Sequence, residues 1–210
     1  MSGDSPLTVV LASGGVETAT LLHRAAADGD KVVALFLDYG QRPADMERRA
    51  VQAQCRSVGA RLESLDMADA ERAFQGEDDR RYHVPLPHRN LVALALGLSF
   101  AEKRQAARLQ AGLTADDGAA SRSASAGFFR RFRDLAGELG AVAVEAPLLA
   151  LTKAEVVRRG AGLGVDFART YSCLLGRPRP CGHCPQCRKR ADAFRQAGLT
   201  DPDCRLDEDN

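Results

Sequence analysis

Apolar residues come along this chain in short unbroken runs separated by stretches of helical period. "LTVVLA" (7–12) and "KVVALFLDYG" (31–40) are continuously apolar and β-branched, the pattern of parallel strands covered on both faces. Between them "ETATLLHRAAADG" (17–29) has helical composition and ends in Gly29, so the three segments predict a βαβ crossover. The alternation continues with a helical "MERRAVQAQCRSVGA", a strand-like "RLESLDM", an amphipathic "RNLVALALGLSFAEKR", a strand-like "AARLQAGL", a helical "AGFFRRFRDLAGELG" and a strand-like "AVAVEAPL". This order predicts a doubly wound α/β sheet of five parallel strands.

After Leu148 the pattern changes. A helix is predicted over "LTKAEVVRRGAGLG" (151–164), where Thr152 is the cap and Glu155 completes a capping box. From Asp166 the chain becomes short-range and rich in cysteine. The expected organisation is an α/β domain over 1–165, a cysteine-bearing unit with a C-terminal helix packed on it over 166–202, and an acidic tail, "DCRLDEDN" (203–210), expected to be frayed and solvated.

The length of 210 residues suits one domain with an appendage. With 45% hydrophobic and 27% charged residues and no long apolar run, the chain reads as a soluble globular protein. The start "MSGDSPLTVV" has an acidic residue where a signal peptide would be basic, so a cytoplasmic location with no membrane contact is expected. A formal charge of +1 gives no global drive toward nucleic acid, which argues against direct nucleic-acid binding.

Six cysteines in such a chain read as metal ligands or buried thiols rather than disulfides. "SCLLGRPRPCGHCPQC" places Cys173, Cys181, Cys184 and Cys187 at the spacing of a tetrahedral, structural Zn²⁺ site of four thiolates. A redox C-x-x-C or unligated thiols are the rival readings. His183 lies inside the knuckle and is expected to face solvent, and neither Cys55 nor Cys204 has a partner at ligand spacing.

"LASGGVETATLL" (11–22) sets Ser13, Gly14 and Gly15 between a strand and a helix, where backbone N–H groups and a helix N-terminus meet an anion. It is neither G-x-x-x-x-G-K-[ST] nor G-x-G-x-x-G, and "SGG" alone is equally an ordinary turn. The loop resembles the Ser-Gly-Gly-x-Asp-Ser pyrophosphate loop of the PP-loop ATP pyrophosphatases, with Glu17 and Thr18 in the last two places. Further segments resemble one branch, the 7-cyano-7-deazaguanine synthases: "FLDYGQR" (36–42), "PHRN" (87–90), "EAPLLALTKAEVV" (145–157), and "GVDFARTYSC" running into the four-cysteine knuckle and "AFRQAGLTDP".

That resemblance implies a Rossmann-like fold, an adenine nucleotide alpha hydrolase-like sheet, with an attached zinc knuckle. It implies an ATP-dependent ligase that joins ammonia to 7-carboxy-7-deazaguanine, first as an amide and then as a nitrile, with ATP, Mg²⁺ and structural Zn²⁺. ATP is expected along Leu11, Ala12, Ser13, Gly14, Gly15, Val16, Glu17 and Thr18, and at Asp38, Tyr39, Gln41, Asn90, Asp117 and Thr152. Glu17, Thr18, Arg89 and Lys153 are the expected catalytic residues. Taken singly, Thr152 and Asn90 are also good helix caps, and Lys153 an ordinary surface lysine. Partners are the small deazapurine and ammonia, and the family is often dimeric.

Two departures stand out. Glu is one methylene longer than Asp, and Thr adds a methyl that stiffens its rotamer. Where family members carry a Ser-Gly-Tyr-Pro-Asp-Cys-Arg-like segment, this chain has "DDGAASRSAS" (116–125), small, polar and expected to be flexible. The alternatives are a relative that adenylates another carboxylate, on a small molecule or on a protein or nucleic acid, a pyrophosphatase-family enzyme that modifies tRNA directly, and a degenerate ATP-binding protein without turnover.

Overall fold

The apolar run at 7–12 becomes the middle strand of the molecule, because only a fully covered position buries both faces of such a segment. The computed structural model describes residues 5–67, 69, 86–202 and 206. Strands β1 (Leu7–Ala12), β2 (Lys31–Asp38), β3 (Arg61–Asp66), β4 (Arg108–Gln110) and β5 (Ala143–Glu145) form one sheet in the order β3-β2-β1-β4-β5. All neighbouring pairs are parallel, with Leu7 opposite Lys31 and Val10 opposite Gln110. Such pairs need crossovers, supplied by α1 (Val16–Ala27), α2 (Ala44–Val58), α3 (Arg89–Lys103), α4 (Ala115–Ala120) and α5 (Ala126–Leu139). Helices α6 (Lys153–Gly162) and α7 (Pro185–Ala197) complete the chain.

Each face of the sheet has its own core. Leu21, Leu22 and Val51 from α1 and α2 pack with Val10, Ala34 and Phe36. Leu94, Leu98, Phe129 and Phe132 from α3 and α5 pack with Val9, Leu35 and Leu109. Burying a side chain such as Leu94 contributes about 1.5–3 kcal/mol. Helix α3 reaches the sheet through Gly97, where a Cβ would come within 2.8 Å of Leu11 Cδ2.

The C-terminal elements dock on α1 through Val16, Ala19, Val157, Phe167 and Phe194. Arg190 locks them, since its buried guanidinium donates to Asp201, to the carbonyl and hydroxyl of Thr170, and to the carbonyl of Phe167. Of the acidic tail only Leu206 is described, and it packs against the cysteine cluster rather than standing in solvent. Cys204 lies outside the described residues. Among the described residues no helix is long and apolar enough to cross a membrane.

Two segments differ from the sequence reading. The apolar runs at 106–113 and 141–148 pair over three residues each, and Ala111, Gly112 and Leu113, which follow Gln110, line a crevice. The segment 116–125, expected to be flexible, is ordered into α4 and a 3₁₀ turn at Arg122–Ala124. Its cause is a capping box: Thr114 Oγ1 accepts from the Asp117 N–H, and the Asp117 carboxylate accepts from the Thr114 N–H and hydroxyl.

Candidate active site and metal centre

The strand order reverses between β1 and β4, and doubly wound sheets bind ligands at the carboxyl ends of strands at such a point. A cavity of about 480 Å³ opens there, walled by the chain after β1 and after β4. Its lining combines the apolar Phe36, Leu86, Leu94 and Leu113 with the charged Glu17, Glu47, Arg89, Asp117, Lys153 and Lys189.

The loop after β1 is built by close contacts. Gly14 has φ +74°, and a Cβ there would lie 2.5 Å from the Glu47 carbonyl oxygen, so glycine is required both by conformation and by space. The Ser13 N–H donates to Thr18 Oγ1 over 3.1 Å, and the two hydroxyls are 3.2 Å apart. Thr18 thus holds the loop rather than standing free in it. Gly15 caps α1 with no side-chain acceptor, so the first-turn N–H groups of the helix are left for an anion.

Across the loop Lys153 Nζ approaches Glu17 Oε1 to 2.6 Å, with both side chains nearly buried. Lys153 is held at the start of α6, where its N–H donates to Asp116 Oδ2 over 2.7 Å. The predicted box at Thr152 is present, with Thr152 Oγ1 accepting from the Glu155 N–H and donating to the Glu155 carboxylate. Hydrogen bonds from the Thr152 N–H and hydroxyl hold the Glu155 carboxyl below its ordinary pKa.

Of the residues expected at the site, Leu11, Ala12, Ser13, Gly15, Glu17, Thr18, Tyr39, Arg89, Asn90, Asp117 and Lys153 line the cavity. Gly14, Val16, Asp38, Gln41 and Thr152 are not on its wall. Gly14 turns its carbonyl to the Tyr171 N–H, and Val16 is buried against α6 and α7. Asp38 accepts from the Gly40 N–H, Gln41 ties Tyr39, Leu37 and Glu47 together, and the Thr152 hydroxyl is engaged in its cap.

The wall also carries Glu47, His88, Ser172, Gln186 and Lys189, none of which the sequence reading picked out. Glu47 belongs to an amphipathic helix, where a charged residue reads as surface; His88, Ser172 and Gln186 lie inside the segments "PHRN", "GVDFARTYSC" and the cysteine knuckle without being singled out by them, and Lys189 lies outside those segments. Burial pushes the Glu47 carboxyl up to about 7, opposed by the Gln41 amide that donates to Glu47 Oε2 and by the charge of Arg89, and reinforced by Asp38. Burial likewise raises Tyr39, against the pull of Arg89, which donates to its hydroxyl over 2.9 Å. Burial opposes the charge on Arg89, yet Tyr39, Glu47 and Asp117 hold its pKa above the usual value.

The four cysteines of the knuckle converge, with all sulfurs within 4.8 Å of one another. A tetrahedron with metal–sulfur bonds of about 2.3 Å has edges of about 3.8 Å, so the Cys181 to Cys187 separation of 4.0 Å fits a single ion. Backbone N–H groups already point at sulfur: Cys181 to Cys173, Cys184 to Cys181, and Cys187 to Cys184. Burial works against a thiolate at Cys181, but N–H donors from His183 and Cys184 bring it down to about 6. His183 is exposed and directs Nδ1 to the Cys181 carbonyl, away from the sulfurs. Cys55 is buried in the sheet core, where burial raises its thiol to about 11.

Comparison with known proteins gives this geometry its context. Residues 7–198 match the family described as Queuosine biosynthesis protein QueC. The chain is similar to proteins named 7-cyano-7-deazaguanine synthase: 37% identical to that of Thiobacillus denitrificans, covering 94% of this chain and 97% of the relative. It is 34% identical to that of Paramagnetospirillum magneticum, covering 92% and 96%. Among solved structures it shares its fold with the U34-tRNA thiolase NcsA from Methanococcus maripaludis, at TM-score 0.57 and 12% identity over 93% of this chain and 68% of that one. NMN synthetase from Francisella tularensis matches at TM-score 0.51 and 16% identity, over 93% and 78%. At these identities the likeness is one of fold alone. The family match over nearly the whole chain, with the relatives matched along most of their own length, shows that this protein belongs to the QueC family of queuosine biosynthesis.

Proposed function

We propose that this chain is an ATP-dependent carbon–nitrogen ligase that converts 7-carboxy-7-deazaguanine and ammonia to 7-cyano-7-deazaguanine. The observation that carries the proposal is the Glu17–Lys153 pair, which lines the same cavity as Ser13 and Gly15 of the loop after β1. The names of the relatives support the choice of substrate.

A carboxylate oxygen is a very poor leaving group, whereas AMP is a good one. The substrate carboxylate attacks the α-phosphate of ATP, releasing pyrophosphate and forming an acyl adenylate. Ammonia displaces AMP to give the amide. The amide oxygen is adenylated in turn, and loss of AMP and protons leaves the nitrile. Each step needs an in-line approach and neutralised phosphate charge.

The loop N–H groups and the α1 N-terminus receive the pyrophosphate end, and Lys153 supplies the cation. Glu17, a carboxylate on the wall beside the loop, is the residue that would share Mg²⁺ with the phosphates, in keeping with the ion's habit of binding one or two carboxylates plus phosphate. Bound there, Mg²⁺ would offset charge on the departing pyrophosphate. Arg89 and Asn90 face the same space from the start of α3 and orient the acceptor. The knuckle holds structural Zn²⁺ through Cys173, Cys181, Cys184 and Cys187, a four-thiolate set that leaves no open position for catalysis. A cytoplasmic setting keeps those thiolates reduced.

One observation favours a second reading. Ala120, Ser121, Ser123 and Ala124 form the wall where the family carries a bulkier segment, which leaves room for a different carboxylate. Assay of pyrophosphate release with a panel of carboxylic acids decides between them. Release driven by 7-carboxy-7-deazaguanine supports the first, and release only with another acid supports the second.

A further inference from the structure

The C-terminal unit forms a wall of the cavity as well as a metal knuckle. The Tyr171 N–H donates to the Gly14 carbonyl over 2.8 Å, stitching this unit to the loop after β1. A Cβ on Gly15 would lie 3.9 Å from the Tyr171 carbonyl, so the strand of chain at 171 runs directly past the loop. Ser172 comes next and lines the cavity, and its hydroxyl oxygen is buried without a hydrogen-bond partner.

That hydroxyl is held where it is. On one side Tyr171 is pinned through its N–H and through its own hydroxyl, which donates to the Arg177 carbonyl over 2.7 Å. On the other, Cys173 belongs to the four-sulfur cluster. A buried hydroxyl with no partner is unfavourable, and a ligand that accepts from it removes the penalty.

Charge points to the same ligand. Of the cations on the wall, Lys153 faces Glu17 and Arg89 is joined to Tyr39. Lys189 also lines the cavity, from α7, two residues after Cys187, and makes no ion pair among the described residues. A polyphosphate on the Ser13–Gly15 loop carries more negative charge than Lys153 alone offsets.

We propose that Ser172 and Lys189 form a phosphate subsite carried by the metal-bearing unit. Ser172 donates its hydroxyl proton to an oxygen of the β- or γ-phosphate of a nucleotide seated on the loop, and Lys189 closes its outer side. The proposal rests on the reading of that loop as a nucleotide site. It gives the metal a role at a distance: by fixing Cys173 and Cys187 it fixes the two phosphate ligands next to them.

Calorimetric binding of α,β-methylene-ATP and of AMP, with Mg²⁺, to metal-replete wild type, Ser172→Ala and Lys189→Ala tests this. Ser172→Ala is expected to weaken the ATP analogue roughly 10- to 100-fold, with AMP affinity and melting temperature unchanged. Lys189→Ala is expected to weaken it about two- to fivefold at low salt, and less as salt is added. Equal losses for AMP and the ATP analogue, or no loss in Ser172→Ala, would overturn the subsite. If Ser172→Ala loses its metal or melts early, Lys189→Ala decides alone, and wild-type affinity at low salt overturns the proposal. Wild type that binds no ATP analogue overturns both this subsite and the proposed function. Wild type that binds it but leaves the deazapurine acid unchanged overturns only the function.

Discussion

The ammonium of Lys153 lies 2.6 Å from the carboxylate of Glu17, joining the start of α6 to the first turn of α1 on the wall of the cavity. Both partners are nearly buried, so neither charge is readily solvated by water if the other is removed.

Lys153→Met leaves the Glu17 charge unpaired and is expected to destabilise the fold by about 2–4 kcal/mol and to lower kcat/KM at least 100-fold. Adding Glu17→Gln removes the stranded charge, so the double variant should recover most of the melting temperature and none of the activity. Thermal melting with pyrophosphate-release kinetics checks both. Recovery of activity in the double variant would show that the pair serves only the fold.

Glu47 gives a prediction in pH. Its carboxyl is raised to about 7 in the folded chain by burial, against an ordinary 4.5, with Arg89 and the Gln41 amide opposing and Asp38 reinforcing. Between those values the folded state binds more protons than the unfolded one, so stability falls as pH rises from about 4.5 to 7. The full effect is on the order of 3 kcal/mol above pH 7. Glu47→Gln keeps an acceptor for Gln41 and should flatten this part of the profile, raising stability at pH 8 relative to pH 5. Denaturant melts of both proteins at the two pH values measure it, and parallel profiles would contradict it.

The cysteine centre is expected to hold one zinc ion per chain, measurable by metal analysis of protein purified without chelator. Cys184 caps α7 and its Sγ accepts from the Cys187 N–H, so Cys184→Ser should release the ion and lower the melting temperature. Protein without metal but with unchanged melting would remove the knuckle from the account.

Much of this was legible in the chain for physical reasons that differ from element to element. The run at 7–12 reads as a strand because burial on both faces forbids polar alternation, and Thr152 with Glu155 reads as a cap because both hydrogen bonds close within one turn. The four cysteines lie within one short stretch, so spacing alone brings them together. The α4 segment was missed because its small residues suggest flexibility, although Thr114 and Asp117 carry the same capping pattern as Thr152 and Glu155. Glu47, Ser172 and Lys189 reach the cavity from three separate elements, a placement fixed by the packing of α2 and the knuckle and by no local pattern. The loop is the intermediate case. Its sequence places Gly14 at a turn, but the contact that makes glycine obligatory is with Glu47, in another helix.

The central claim is the conversion itself. Zinc-replete protein incubated with Mg²⁺, ATP, ¹⁵N-ammonium and 7-carboxy-7-deazaguanine, followed by mass spectrometry, should yield the ¹⁵N-labelled amide and then the labelled nitrile, with AMP and pyrophosphate formed alongside. Unchanged acid under conditions where a 7-cyano-7-deazaguanine synthase from a relative converts it would contradict the account.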